Sequence, residues 1–320
     1  MKKRNIIHIF LFIIIICLIL INSDKIIESI RFSFNLCLKD LFPALIPFML
    51  LSNILINYNF INEISTTLKF LTKKFKICEN CSFILIMSLL SGTPSNAKYI
   101  KDMLNNKLIN IKDAENCLNF CNFTNPIFIL NTIGLTFLNN KKLGLIILIS
   151  NYCSAFIVGL FNKNNFYNKE KYIKQIEKQK FINILTISIN NIIDTLLLIL
   201  GIITAFIIVT TIIDSTFKIP NNLKFLYGII EIMQGLKYLS LTNFNYKIKA
   251  IISSMIISFG GLCIHAQVYS IIDNKKIRYL PYLKSRIIHS LLSGIITYLL
   301  IIIFAYNHDY KYILSLFQSL

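Results

Sequence analysis

Four polar clusters interrupt the apolar runs of this 320-residue chain, and their side chains are the ones able to hold a solute. In Ser91-Gly92-Thr93-Pro94-Ser95-Asn96-Ala97-Lys98, Pro94 removes a backbone donor and breaks a helix, and Gly92 allows a tight turn. Ser91, Ser95 and Asn96 can bond the freed backbone groups. Lys98 is a fixed positive charge beside the break, suited to a carboxylate; the ordinary alternative is a lysine that snorkels to lipid headgroups. The helix starting after Pro94 points its first amides at the same place, and such termini attract anions. In the second cluster, Asn122, Thr124, Asn125 and Asn131 share one uncharged stretch. Read as a helix, it puts Asn122 and Asn125 on one face, and Pro126 releases the carbonyl of Asn122. Such groups suit a polar heterocycle, or hydrogen bonds between helices.

The third cluster is Glu231 with Gln234 in the moderately apolar helix expected over 223–240. An ionisable residue in a membrane helix is by default a functional candidate, although Lys237 also allows an interfacial position. The fourth cluster, Ser258-Phe259-Gly260-Gly261-Leu262-Cys263-Ile264-His265-Ala266-Gln267, breaks another apolar run with glycines. His265 can titrate near neutral pH or sit as a buried, hydrogen-bonded imidazole. Arg278 and Arg286 stand out because the chain has few arginines, and Arg grips carboxylates bidentately; Arg286 can also simply cap the last span. Asp194 reads as interfacial, just before the run 195–213. The candidate binding residues are therefore Ser91, Gly92, Pro94, Asn96, Lys98, Asn122, Asn125, Glu231, Gly260, Gly261, His265 and Gln267.

The elements that carry these clusters are set by composition. The chain is 55% hydrophobic and only 15% charged, against about 25% charged in soluble domains. Eight stretches lack any Lys, Arg, Asp or Glu: 5–23, 41–62, 80–97, 116–140, 143–162, 195–213, 250–272 and 287–308. A bilayer is crossed by about 20 apolar residues in a helix, so the class is an all-α, polytopic transmembrane bundle. The net charge of +18 comes mostly from lysines that punctuate these runs, which is a topology signal and not the one-sided patch of a nucleic-acid binder. No nucleic-acid partner is expected; the lipid bilayer is.

Loop charge orients the first half. Lys69, Lys73, Lys74 and Lys76 place 58–80 in the cytoplasm, and 98–115 and 163–180 are likewise lysine-rich. With 58–80 and 98–115 on one side, 82–97 has to enter and return, and Ser91–Ala97 is expected to be non-helical and enclosed. The glycine-broken segment 169 residues later, Gly261 aligned on Gly92, suggests two inverted repeats, with 82–110 and 252–279 as equivalent hairpins. The division is then an anchor helix over 1–22, a first repeat over 23–162, a basic linker over 163–180 and a second repeat over 181–320.

Eight cysteines are scattered through the chain, and Cys78-Glu-Asn-Cys81 is the one C-x-x-C. One such pair supplies two ligands where a structural zinc site takes four, so no metal is expected. No nucleotide-binding loop, zinc-protease helix or serine elbow occurs, and neither an enzyme activity nor a cofactor is expected.

Taken together, Leu41-Phe42-Pro43 with Pro47-Phe48, Ser91-Gly92-x-Pro94-x-x-Ala97-Lys98, Asn122-x-x-Asn125-Pro126-x-Phe128-Ile129 and Gly260-Gly261-x-x-x-His265-x-Gln267-Val268 resemble the YlbJ-type sporulation integral membrane proteins. Members often have Gly where this chain has Asn96, and Gly-Pro where it has Asn125-Pro126. The resemblance covers roughly 35–305. It implies a nucleoside-recognition "Gate" domain, an endospore-forming source, a cell or forespore membrane location, and movement of a small organic anion, dipicolinate-like or nucleoside-like. Other sporulation membrane proteins would be its partners. A non-transporting scaffold or gate for a spore-assembly partner is the alternative.

Overall fold

The computed structural model describes residues 3–58, 60–75, 77–161, 180–217 and 219–306. The linker expected over 163–180 falls, except for Lys180, outside these residues. Every regular element among them is helical. The chain opens with α1 (Lys3–Ile21) and α2 (Ser23–Leu36); a π turn over Cys37–Leu41 joins α2 to α3 (Phe42–Asn57). Short helices α4 (Ile61–Thr67) and α5 (Lys69–Phe75) precede α6 (Cys81–Ser91), α7 (Ser95–Asn105) and α8 (Ile111–Phe120). A π-helical stretch, Phe128–Phe137, leads into α9 (Lys141–Phe161), and the second half begins with the 37-residue α10 (Phe181–Phe217). A 3-10 helix, Asn221–Ile229, is followed by α11 (Ile232–Ser240), α12 (Tyr246–Phe259), α13 (Gly261–Ile272) and α14 (Tyr279–Tyr306).

Five segments among the described residues are long and apolar enough to span a membrane: Ser23–Asn57, Lys141–Phe161, Phe181–Phe217, Tyr246–Ile272 and Tyr279–Phe304. Many of their leucines and isoleucines face outward, as at Leu197, Ile193, Leu291 and Ile295, while others such as Ile199 and Ile207 pack inside. Small polar residues face inward instead: Ser254 contacts Ser293 at 2.5 Å and receives Thr297 at 2.8 Å between α12 and α14, and Ser33 meets Thr204 at 2.9 Å between α2 and α10. That is how helices adhere where lipid tails remove the hydrophobic drive between them. Asp194 lies exposed well inside α10, which begins at Phe181, and not at the start of a span.

Two uncharged stretches do not form single helices. The first, 80–97, folds into a hairpin. Phe83 and Tyr99 are sixteen residues apart, about 24 Å along a straight helix, yet their rings lie 6.5 Å apart. The Asn80 amide donates to the Leu108 carbonyl at 2.8 Å and closes the base of the legs. Only Gly92–Pro94 leaves the helix at the tip; Ser95–Ala97, expected to be irregular, already form the first turn of α7. The second stretch, 116–140, is broken by the extended segment 121–125.

The repeat pairing read from Gly92 and Gly261 is corrected. Gly260 is a left-handed kink (φ 92°) inside one 27-residue span, so 252–279 is no counterpart of the hairpin. A second hairpin lies instead in 221–240, where a single helix was expected. The Tyr227 and Tyr238 rings lie 5.7 Å apart across it, and its tip is Ile230-Glu231. The order hairpin, interrupted helix, long helix thus occurs twice. Gly92 and Ile230 at the tips are 138 residues apart, as are Lys141 and Tyr279 at the starts of the long helices.

Candidate functional site

The irregular segment 121–125 exists because Pro126 has no N–H to give. Backbone left without helical partners in this way needs others when buried, and several are supplied. Thr93 N–H donates to the Phe123 carbonyl (2.9 Å), and Thr124 N–H to Asn151 Oδ1 (3.1 Å). Asn96 Nδ2 reaches the Cys121 carbonyl (2.8 Å) and Asn122 Oδ1 (3.1 Å). Asn125 donates to the Ser91 carbonyl (3.2 Å) and accepts from Phe128 N–H (3.1 Å). Asn122 and Asn125 therefore do not share a helix face. They stitch the loop to the first hairpin tip, while Asn131 is exposed on the π-helical stretch.

Gly92 makes that contact possible. A Cβ there would stand 2.3 Å from the Asn125 nitrogen, so hairpin tip and loop touch backbone to backbone.

The carbonyl released by Pro126 is claimed from afar. Arg286, on α14 and 1% exposed, donates to the carbonyls of Asn122 (3.1 Å), Phe259 (2.9 Å) and Ile257 (3.3 Å). One guanidinium thus serves both helix breaks, and a side chain at Gly260 would meet it at 3.0 Å. Arg286 also donates to His289 Nδ1 (3.2 Å), and His289 Nε2–H donates to the Asn151 carbonyl (2.9 Å). The fork's rigid donors make this span of acceptors accessible to Arg and not to Lys.

The two hairpin tips converge on a cavity of about 60 Å³. Its polar lining consists of Thr93, Thr124, Asn125, Glu231 and Gln267, with Pro94 beside them. Glu231 caps α11: its Oε2 accepts Gln234 N–H at 2.7 Å, and the tip is held to α13 by Cys263 N–H on the Ile230 carbonyl (2.9 Å). Glu231 is thus a buried carboxylate at a helix start and not a mid-helix residue. Gln267 donates to Cys263 Sγ at 3.2 Å.

Four of the twelve candidates, Pro94, Asn125, Glu231 and Gln267, line this cavity. Ser91, Gly92, Asn96, Asn122, Gly260 and Gly261 stand behind it and hold its walls. Lys98 is turned into an ion pair with Asp102 one helical turn on (2.9 Å) and is not among the lining residues. His265 is enclosed, donating from Nε2 to the Phe259 carbonyl (3.1 Å) and accepting at Nδ1 from the Tyr279 hydroxyl (2.9 Å). Thr93, in the lining, and Asn151 and His289, in the hydrogen-bond network behind it, carry no signal in the sequence. Single Ser, Thr, Asn or His residues carry no spacing signal, and only the scarcity of arginine pointed here, at Arg286.

Arg278 grips a carboxylate, but it is the protein's own. Its guanidinium and backbone N–H hold Glu115 at 2.7–3.2 Å, tying α8 to the start of α14 outside the five spans. Burial raises the Glu115 carboxyl, but the hydrogen bonds and charge of Arg278 outweigh it and hold the group below its ordinary value. A carboxyl lowered on folding stabilises above its ordinary pKa, and the contribution fades as pH falls through the lowered value. Arg278→Gln is therefore expected to lower the melting temperature slightly at neutral pH and not at all once Glu115 is protonated. Paired melts across pH in detergent check this; a gap that persists in acid would contradict it. The effect is small because Arg278 is largely exposed and such pairs are screened.

No family model and no solved structure matches the chain. It is 25% identical, over an alignment of 334 positions, to the sporulation integral membrane protein YlbJ of Bacillus subtilis (strain 168), covering 91% of this chain and 82% of that protein. That similarity supports the YlbJ-type family, and with five apolar spans the chain is a multi-pass integral membrane protein.

Proposed function

We propose that the chain serves sporulation as a transporter, passing a small planar organic solute through the cavity between the two hairpin tips. The observation that carries the reading is the meeting of two helix starts, Pro94-Ser95 and Glu231-Ile232, with the polar lining of one cavity. Broken helices meeting in this way are how secondary transporters build binding sites. In this reading the two hairpins are re-entrant, the doubled element order is an inverted repeat of Gate type, and the sporulation role follows the relative's name.

The lining favours a neutral, nucleoside-like ring over a bare dianion. Thr93, Thr124, Asn125 and Gln267 offer neutral hydrogen bonds, and no Lys or Arg is among the lining residues. A dipicolinate-like anion would sit against the first amides of α7, with a proton or cation on Glu231. A cavity of about 60 Å³ is well below the roughly 300–1,000 Å³ of ligand pockets, so entry of either solute requires the tips to part.

Uptake into proteoliposomes across a panel of nucleosides and aromatic dicarboxylates is the test. Saturable uptake of at least one member is expected, with Glu231→Gln lowering it at least about tenfold, equivalent to about 1.4 kcal/mol. A folded, reconstituted protein that moves nothing on the panel would favour the scaffold alternative.

A further inference from the structure

At the far end of the first hairpin from its tip, the structure gathers a second set of reactive side chains. Cys78 and Cys81 flank the start of α6, and Asp113 lies in the first turn of α8; their Sγ and carboxylate atoms all lie within 4.8 Å of one another. Cys117 is not one of these three, but its thiol meets that of Cys81, and it shares a helix face with Asp113 one turn away. All four are buried: Cys78 2%, Cys81 0%, Asp113 1% and Cys117 0% exposed. Asp113 Oδ2 has no hydrogen-bond partner among the described residues. A buried carboxylate oxygen left unpaired is costly, and of the described residues only Cys78 and Asn110 offer the group hydrogen bonds.

We propose that Cys78, Cys81, Asp113 and Cys117 form a structural zinc site that clamps the base of the hairpin to α8. The C-x-x-C pair alone offers two ligands; the fold supplies the other two from α8, which completes the four of a closed site. Thiolates select zinc over calcium or magnesium, which take oxygen. Zinc–sulfur bonds of about 2.3 Å put tetrahedral sulfurs about 3.8 Å apart. The Cys78 and Cys81 sulfurs, now 2.9 Å apart, have only to separate slightly. Both segments that bring the ligands are lysine-rich and fall on the cytoplasmic side by the charge rule, where thiols stay reduced. The clamp also explains why the Asn80–Leu108 bond, the closure of the hairpin legs, sits beside these residues.

The test uses the full-length protein purified in detergent. Mass spectrometry of metals is expected to find about one zinc per chain. Cys78→Ser/Cys81→Ser should drop below a tenth of that, while Cys17→Ser/Cys153→Ser, at two exposed cysteines, keeps it. So that misfolding of the first variant does not decide the matter, cobalt exchange into the unaltered protein provides a second reading, with thiolate-to-cobalt charge transfer and tetrahedral bands in the red. Three results would overturn the proposal: no metal retained after zinc addition, iron with acid-labile sulfide, or an intact mass two hydrogens short with a Cys78–Cys81 disulfide.

Discussion

Gly92→Ala is expected to destabilise the protein by about 3–6 kcal/mol and to open the cavity wall. The residue has φ 74° and ψ −171°, a region open essentially to glycine alone and costing about 1–3 kcal/mol for other residues. The larger part is steric. The new methyl would stand 2.3 Å from the Asn125 nitrogen and 2.9 Å from its Cα, and backbone cannot swing aside as a flexible side chain can. Tip and loop must part, and the Thr93–Phe123 and Asn125–Ser91 hydrogen bonds are lost with them. Each buried group left unpaired costs about 1–3 kcal/mol. Gly201→Ala in α10 is the control: nothing lies within 4 Å of its Cβ, so it should be neutral or gain about 0.5–1 kcal/mol of helix stability. Thermal unfolding in detergent distinguishes the two. A Gly92→Ala protein that melts with the unaltered one would mean that hairpin tip and loop are not in backbone contact.

The first hairpin was legible because its tip is written in local chemistry. Gly92 and Pro94, two residues apart and followed by polar Ser95 and Asn96, mark a break, and lysine-rich flanks point to the chain's return. The second tip, Ile230-Glu231, contains neither residue, so 223–240 read as one helix. Its signal was a glutamate acting as an N-cap, a weak one beside Ser, Thr, Asp or Asn. The break near Asn122 was half legible: Pro126 marked a freed carbonyl, but not that the chain would run extended through 121–125. Lys98 shows the opposite failure. Asp102, four residues on, is the partner that helical spacing offers first, and a cavity role was read past it. The long-range ties were out of reach altogether. Glu115 and Arg278 are 163 residues apart, and Asn122 and Arg286 are 164 apart. No periodicity links residues so separated. The C-x-x-C suffers from the same distance, since Asp113 and Cys117 lie more than thirty residues from it.

Arg286→Met tests what joins the two halves. The guanidinium faces no carboxylate among the described residues; its acceptors are the neutral carbonyls of Asn122, Ile257 and Phe259, with His289 Nδ1. Two opposing effects follow from removing it. The cost of holding a buried charge disappears, which favours the variant. The Asn122 and Ile257 carbonyls then lose this donor where lipid and apolar side chains offer no replacement, at about 1–3 kcal/mol each, and the Phe259 carbonyl keeps only its bond from His265. Methionine fills much of the volume but donates nothing, so the second effect wins, with a net loss of about 3 kcal/mol or more. Lysine restores the charge and reaches one or two of the carbonyls, not all three from one planar fork. Arg286→Lys should therefore lie between Met and the unaltered protein. The expected order of melting temperatures in detergent is Arg, then Lys, then Met. The lost protection should appear at both breaks together, 121–125 and 257–260, in hydrogen exchange. If Arg286→Met left one break protected, the two would be held independently, and Arg286 would be no more than a cap on the last span.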